Sequence, residues 1–82
     1  MNLCILMGKI ISGIEFKFII NNENKSIIEF EIVLLNKSIV KIQAYNEMAD
    51  YCYKNLNKND MIFIYGKLNE NGKVKIKEVR KL

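Results

Sequence analysis

The chain is 82 residues long, 50% hydrophobic and 27% charged, with a net charge of +4. That is the size of one domain, expected over residues 1–82, and the apolar content excludes a disordered polar tail, although a chain this short buries only about 60% of its unfolded surface. With no histidine and no CxxC pair the common zinc sites are excluded, and Cys4 and Cys52, both set in apolar runs, read as buried free thiols of a cytoplasmic protein.

Asn2 to Ser12 reads as a long apolar strand, in which Gly8 marks a bulge or bend. The apolar stretch from Met1 to Ile20 has no basic leader and is interrupted by Gly8, Lys9 and Glu15, so neither a secretion signal nor a membrane span is expected. Glu15 to Ile20 continues the strand, with Phe16 and Phe18 on one face and Glu15 and Lys17 on the other, and Asn21 to Lys25 is a polar turn. Ser26 to Leu34 alternates Ile28, Phe30, Ile32 and Leu34 against Glu29 and Glu31.

The next run alternates Val40, Ile42 and Ala44 against Lys41, Gln43 and Tyr45. Residues directly paired in an antiparallel hairpin share a face, so the two apolar rows meet only if the loop has an odd number of residues. A loop of Asn36, Lys37 and Ser38 satisfies this and predicts the pairs Leu34–Val40, Ile32–Ile42 and Phe30–Ala44, with Glu31 beside Gln43 and Glu29 beside Tyr45.

Asn46 then reads as the N-cap of a short helix, with Glu47 and Asp50 in the first turns and Met48, Ala49, Cys52 and Leu56 on one stripe. Asn57 to Asn59 ends it, and Met61 to Leu68 is the next strand. A loop of Glu70, Asn71 and Gly72 puts glycine where such a hairpin needs a left-handed residue and pairs Leu68 with Val74. Beyond Ile76 the alternation slips at Glu78 and Val79, which predicts a bulge. One helix between the third and fourth strands of an otherwise all-β chain is the arrangement of a five-stranded OB-fold barrel.

From Met1 to Tyr65 lysines and acids cancel, so the whole charge excess lies in Gly66 to Leu82. A basic face there suits a polyanion, and an edge strand kept charged against aggregation would carry the same residues. Catalysis has little to stand on, because no assembly of acid, base, nucleophile or metal ligands is recognisable, and neither an enzyme nor a cofactor is expected. Binding of single-stranded nucleic acid needs cations for phosphates and flat side chains on which bases stack. Lys41, Gln43 and Tyr45 offer a phosphate contact, a polar contact and a stacking ring on one strand face; Phe16 and Phe18 could be a second platform or part of the core. Glu29 and Glu31 oppose such a face unless lysines neutralise them.

The opening NLCILMGKI, the segments IEFKF and IIEFEIVL, and above all IVKIQAYNEMADYCYKNLNKNDMIFIYGKL resemble, in order and spacing, the bacterial single-stranded DNA-binding protein family over nearly the whole chain. The resemblance implies base stacking at Tyr45 and a basic contact at Lys41, while Ile39 stands where many members have a further stacking aromatic. It also implies a homodimer or homotetramer built through the first strand, with Asn2 to Met7 interfacial. It is a resemblance to a minimal form, with no tryptophan, short loops and no acidic C-terminal tail, similar also to the dimeric primosomal accessory proteins.

The expected function is non-sequence-specific binding of single-stranded DNA or RNA in replication, repair or recombination. Tyr45, with Phe16 or Phe18, would stack bases, Gln43 would make polar contacts, and Lys41, Lys67, Lys73, Lys75 and Lys77 would hold phosphates. The rival expectation is an interaction or oligomerisation module that uses the face bearing Glu29 and Glu31.

Overall fold

The computed structural model describes residues 2–19 and 25–82, with the side chains at 18, 19 and 25 left aside. In chain order the elements are β1 (Leu3–Ile10), β2 (Glu15–Ile19), β3 (Lys25–Leu34), β4 (Ile39–Tyr45), α1 (Asn46–Asn55), β5 (Met61–Leu68) and β6 (Val74–Lys81). Apart from Lys25, the turn expected at Asn21 to Lys25 lies outside the described residues.

The strands lie side by side in the order β1, β5, β6, β4, β3, β2, and a further β1–β3 pairing closes the sheet on itself. All neighbours are antiparallel except β4 and β6, which are parallel through Ile42 opposite Val74 and Gln43 opposite Lys75. Closure leaves few unpaired edges, which suits a small all-sheet protein.

β1 and β2 run one after the other along β3: Ile10 faces Ile32 and Glu15 faces Glu29. Residues 11–14 therefore span the distance that Phe30 and Glu31 cover on the partner, and the strand bends there. The break is stitched: the Ile11 N–H donates to the Glu31 carbonyl at 2.9 Å, and the Glu31 N–H donates to Ser12 Oγ at 2.8 Å. Counted as one interrupted strand, β1 and β2 make this a closed five-strand barrel with the helix between the third and fourth strands.

The bulge expected at Gly8 thus sits four residues later, since β1 keeps an unbroken register with β5 from Leu3 to Lys9. Gly8 has a different task. It is paired with Ile62 on one side and Leu34 on the other, where the barrel closes, and a Cβ there would lie 2.6 Å from the Val33 carbonyl oxygen.

Period-two alternation fills the interior. Ile28, Phe30 and Ile32 from β3, Ile42 and Ala44 from β4, Ile62 and Ile64 from β5, and Val74 and Ile76 from β6 are all buried with Ile10 in one cluster. Fully burying each large aliphatic side chain contributes about 1.5–3 kcal/mol, so this cluster sets which face of every strand turns inward.

The β3–β4 hairpin corrects the expected pairing while keeping its faces. Ile32 faces Val40, Phe30 faces Ile42 and Ile28 faces Ala44. Glu31 is set against Lys41, Glu29 against Gln43, and Ile27 against Tyr45. The longer connection is a turn in which the Lys37 N–H donates to the Leu34 carbonyl, with Lys37 left-handed at φ 69 and Asn36 Oδ1 accepting from the Ser38 N–H. It remains odd-numbered, so inward rows stay inward.

The β5–β6 hairpin has the expected form: Leu68 faces Val74, and Gly72 is left-handed at φ 76. Asn69 Oδ1 accepts from the N–H groups of Asn71 and Lys73, an Asx-type device that holds the loop. The slip predicted after Ile76 is present: Gly66 faces Ile76 but Tyr65 faces Glu78, so Lys77 is the extra residue.

Helix α1 packs on β3 and β4 and sends Ala49 and Cys52, with Leu56 just beyond it, into the core cluster, while Met48 packs half-buried against it. Burial pushes the Cys52 thiol up to about 12, which leaves it unreactive as a nucleophile. The expected cap is corrected. Tyr45 occupies the N-cap position without a side-chain bond to the helix, and Asn46 is the first helical residue at φ 54, a left-handed conformation that asparagine tolerates. No helix among the described residues is long and apolar enough to cross a membrane.

Candidate nucleic-acid interface

Because Ile42 and Ala44 point inward, Lys41, Gln43 and Tyr45 point out of the barrel, and neighbouring strands place partners beside each of them. The β3 register brings Glu31, Glu29 and Ile27; parallel β6 brings Lys75; and β2 sets Lys17 against Ile27. Ile27, between Lys17 and Tyr45 in register, is buried as an apolar floor under this outward face.

At the centre is Glu29, only 8% exposed. Lys17 pairs with Oε1, the Lys73 ammonium lies 2.7 Å from Oε2, and Gln43 Nε2 donates to the same oxygen at 2.6 Å. These contacts, the Lys17 bond first, then Lys73 and Gln43, outweigh the effect of burial and hold the carboxyl down at about 2. Glu29 is therefore ionised throughout the neutral range, and two lysines compensate its charge. The repulsion that Glu29 would exert on phosphates is thereby cancelled at its source. A protein partner would find almost none of this carboxylate accessible, which weighs against a contact surface centred on Glu29.

Gln43 joins this knot to the aromatic. Its Oε1 accepts from Asn69 Nδ2 at 3.2 Å and from the Tyr45 hydroxyl at 3.4 Å. Tyr45 is half-buried, and the Lys75 ammonium sits 4.8 Å from its ring centroid. Such a cation over an aromatic face contributes about 0.5–1 kcal/mol and fixes the ring's orientation. Lys67 faces Lys75 directly across β5 and β6, and both are exposed. Lys77, the bulge residue, is exposed further along β6. On the other flank Lys41 is exposed and shares a shallow cleft with Lys17, Ser12 and Glu31.

The structure thus brings together Tyr45, Gln43, Lys73 and Lys75, with Lys41 and Lys67 on either side. Phe16 is not brought to this group. It faces Ile28 in register, which turns it to the core side of the sheet, where its ring meets Tyr53 edge-on at 4.7 Å with 37% of its surface exposed. Phe18 faces Ser26, and its side chain lies outside the described residues. Ile39 is exposed at the far end of β4. Three contributors were not foreseen as parts of a site: Lys17, Asn69, and Glu29 as an organiser. Alternation with Phe16 turns Lys17 outward, but only the β2–β3 register, which sets it opposite Ile27, brings its ammonium diagonally within reach of Glu29. Among the described residues no cluster of potential metal ligands occurs.

No family model matches the chain. It is 38% identical over 88 residues to ycf41 of Pyropia yezoensis, a protein named for single-stranded DNA binding, and the match takes in 99% of this chain and 77% of that one. The barrel is similar to the SSB domain of a Synechococcus sp. protein, with a TM-score of 0.84 at 15% identity over 98% of this chain and 94% of that one. It is similar to the single-stranded DNA-binding protein of Thermus aquaticus, with a TM-score of 0.83 at 19% identity over 100% of this chain and 40% of the other. The second such protein of Mycobacterium smegmatis gives 0.79 at 18% identity over 98% and 87%. At these identities the solved structures establish the OB fold alone. The sequence match to ycf41 carries the relationship further, and the chain belongs to the single-stranded DNA-binding protein family.

Proposed function

We propose that this chain binds single-stranded DNA without sequence preference on the outward face of β4 and β6. The observation that carries this reading is Tyr45, half-exposed and oriented by Gln43 and Lys75 within a row of lysines whose one buried acid is compensated. A base stacks on the free side of the Tyr45 ring, each stack contributing about 1–3 kcal/mol, and every base offers the same π-face, so the contact carries no sequence preference. Lys41, Lys67, Lys75 and Lys77 neutralise phosphates along the strand path. Gln43 is held by its neighbours and steadies the ring more than it reads a base.

The assembly belongs to the same reading. From Leu3 to Met7 β1 is paired only to β5, and its other edge has no strand partner among the described residues. Leu3, Ile5 and Met7 are exposed on it, Ile5 at 67%. A second copy adding its own β1 edge-to-edge would satisfy both unpaired ladders and cover those side chains.

The test is an anisotropy titration of labelled oligo-dT across a salt series, with sedimentation on the same samples. Four phosphate contacts predict a slope of log K against log[salt] of about −3, at roughly −0.7 per contact. Free protein should sediment as a dimer or a larger even oligomer. No saturation at low salt with about 100 µM protein, the weak end of ordinary non-specific affinities, would remove the proposal.

A further inference from the structure

Six lysines lie on or beside the proposed binding face, yet they are not equivalent. Lys41, Lys67, Lys75 and Lys77 are exposed and have no carboxylate partner among the described ion pairs. Lys17 and Lys73 both close on Glu29, one on each oxygen, from opposite sides of the face: Lys17 from β2 and Lys73 from the β5–β6 loop. Gln43 adds a third donor from β4. Three separate segments of chain thus converge on one carboxylate carried by a fourth, β3.

We infer that Glu29 withholds Lys17 and Lys73 from phosphate, so that the strength and salt sensitivity of binding are set by the remaining lysines and lie below what the lysine count of the face would give. This rests on the single-stranded DNA reading above. The physical reason is the asymmetry between the two partners competing for each ammonium. A phosphate on a mobile strand is solvated before and after binding. Glu29, with its side chain 10% exposed, would be stranded as a buried charge with only Gln43 to answer it, and a buried ion that loses its partner is costly. Lys17 makes the stronger contact to Glu29, although its side chain is 54% exposed and it also lies near Glu15; Lys73 makes the weaker one with its side chain 27% exposed, where less water competes for it. The knot also ties the β5–β6 loop to β2 across the face, which makes Glu29 a positioning residue whose removal loosens charge without removing any ring.

Two variants test this with the oligo-dT salt series, each first checked for folding by circular dichroism. Glu29→Gln should free both lysines and steepen the slope from about −3 to about −4, adding roughly −0.7 for each phosphate newly neutralised, with tighter binding at low salt. The triple variant Glu29→Gln, Lys17→Gln, Lys73→Gln contains no charge in the knot, and its slope should equal that of the unaltered protein. A Glu29→Gln slope equal to the unaltered one, or a triple variant whose slope is shallower by more than about 1, would overturn the inference, since the lysines would then already be spent on phosphates. If Glu29→Gln fails to fold, the triple variant decides alone. Failure of the unaltered protein to bind oligo-dT at all would sink the functional reading instead, so the two failures are told apart.

Discussion

Alanine at Gly66 is expected to lower the melting temperature by about 15 °C or more. A Cβ at Gly66 would lie 2.5 Å from the Lys75 carbonyl oxygen and 2.8 Å from Val74 Cγ1. The first of these is backbone of the paired strand at the position where the β5–β6 register shifts, so it cannot rotate away as a side chain would. Overpacking of this kind costs about 1–3 kcal/mol, here at the upper end. A chain of this size holds only about 4–12 kcal/mol in total, and each kcal/mol moves the midpoint by roughly 4–8 °C. Gly8→Ala should behave similarly, because its Cβ would lie 2.6 Å from the Val33 carbonyl oxygen where β1 closes the barrel. Gly13 is the control: nothing lies within 4 Å of its Cβ position, and its alanine variant should melt near the unaltered protein. Thermal unfolding followed by circular dichroism reads all three, and a Gly66→Ala midpoint close to that of Gly13→Ala would show that the strand pairing is wrong.

The second large effect is expected in binding. Tyr45→Ala should weaken the affinity for oligo-dT by about 5- to 150-fold, the equivalent of one lost base stack. Tyr45→Phe keeps the ring and loses only the 3.4 Å hydroxyl bond to Gln43, so it should stay within about twofold to threefold of the unaltered protein, given how little such a long bond contributes. Phe16→Ala removes an aromatic from the core side of the sheet, where the ring meets Tyr53, and should cost stability while leaving affinity nearly intact. Anisotropy at fixed salt distinguishes these outcomes. An unchanged affinity for Tyr45→Ala beside a large loss for Phe16→Ala would move the binding surface to the helical side of the barrel.

How much of this was legible in the sequence follows from which interactions are local. Strict alternation from Ile28 to Ile32 and from Val40 to Ala44 is a property of each strand alone, and it correctly turned Lys41, Gln43 and Tyr45 outward. The last hairpin was readable because Gly72 and Asn69 impose one loop geometry. The β3–β4 pairing was not, since Leu34 to Ser38 contains no glycine, and Lys37 takes the left-handed position that sequence would have given to another residue type. That slip moved Glu29 from beside Tyr45 to beside Gln43, and with it the electrostatics of the site. Read along the chain, Glu29 looked like an obstacle to an anionic ligand. In three dimensions it is bound by residues distant from it in sequence, Lys17 and Lys73, and becomes the organiser of the face. For the bend after β1 the visible signal in the sequence is likewise a glycine, Gly8, whereas the bend falls at 11–14, where the backbone leans on Ser12 and Glu31.

The central claim is that nucleic acid lies across the outward face of β4 and β6. Backbone amide chemical shifts recorded while oligo-dT is added to the isotope-labelled protein test it most directly. Binding on that face predicts the largest shifts at Lys41, Gln43, Tyr45, Lys67 and Lys75, with the exposed side of α1 around Tyr51 and Tyr53 nearly still. Shifts concentrated on α1 and β2, with Tyr45 and Lys75 unmoved, would contradict it.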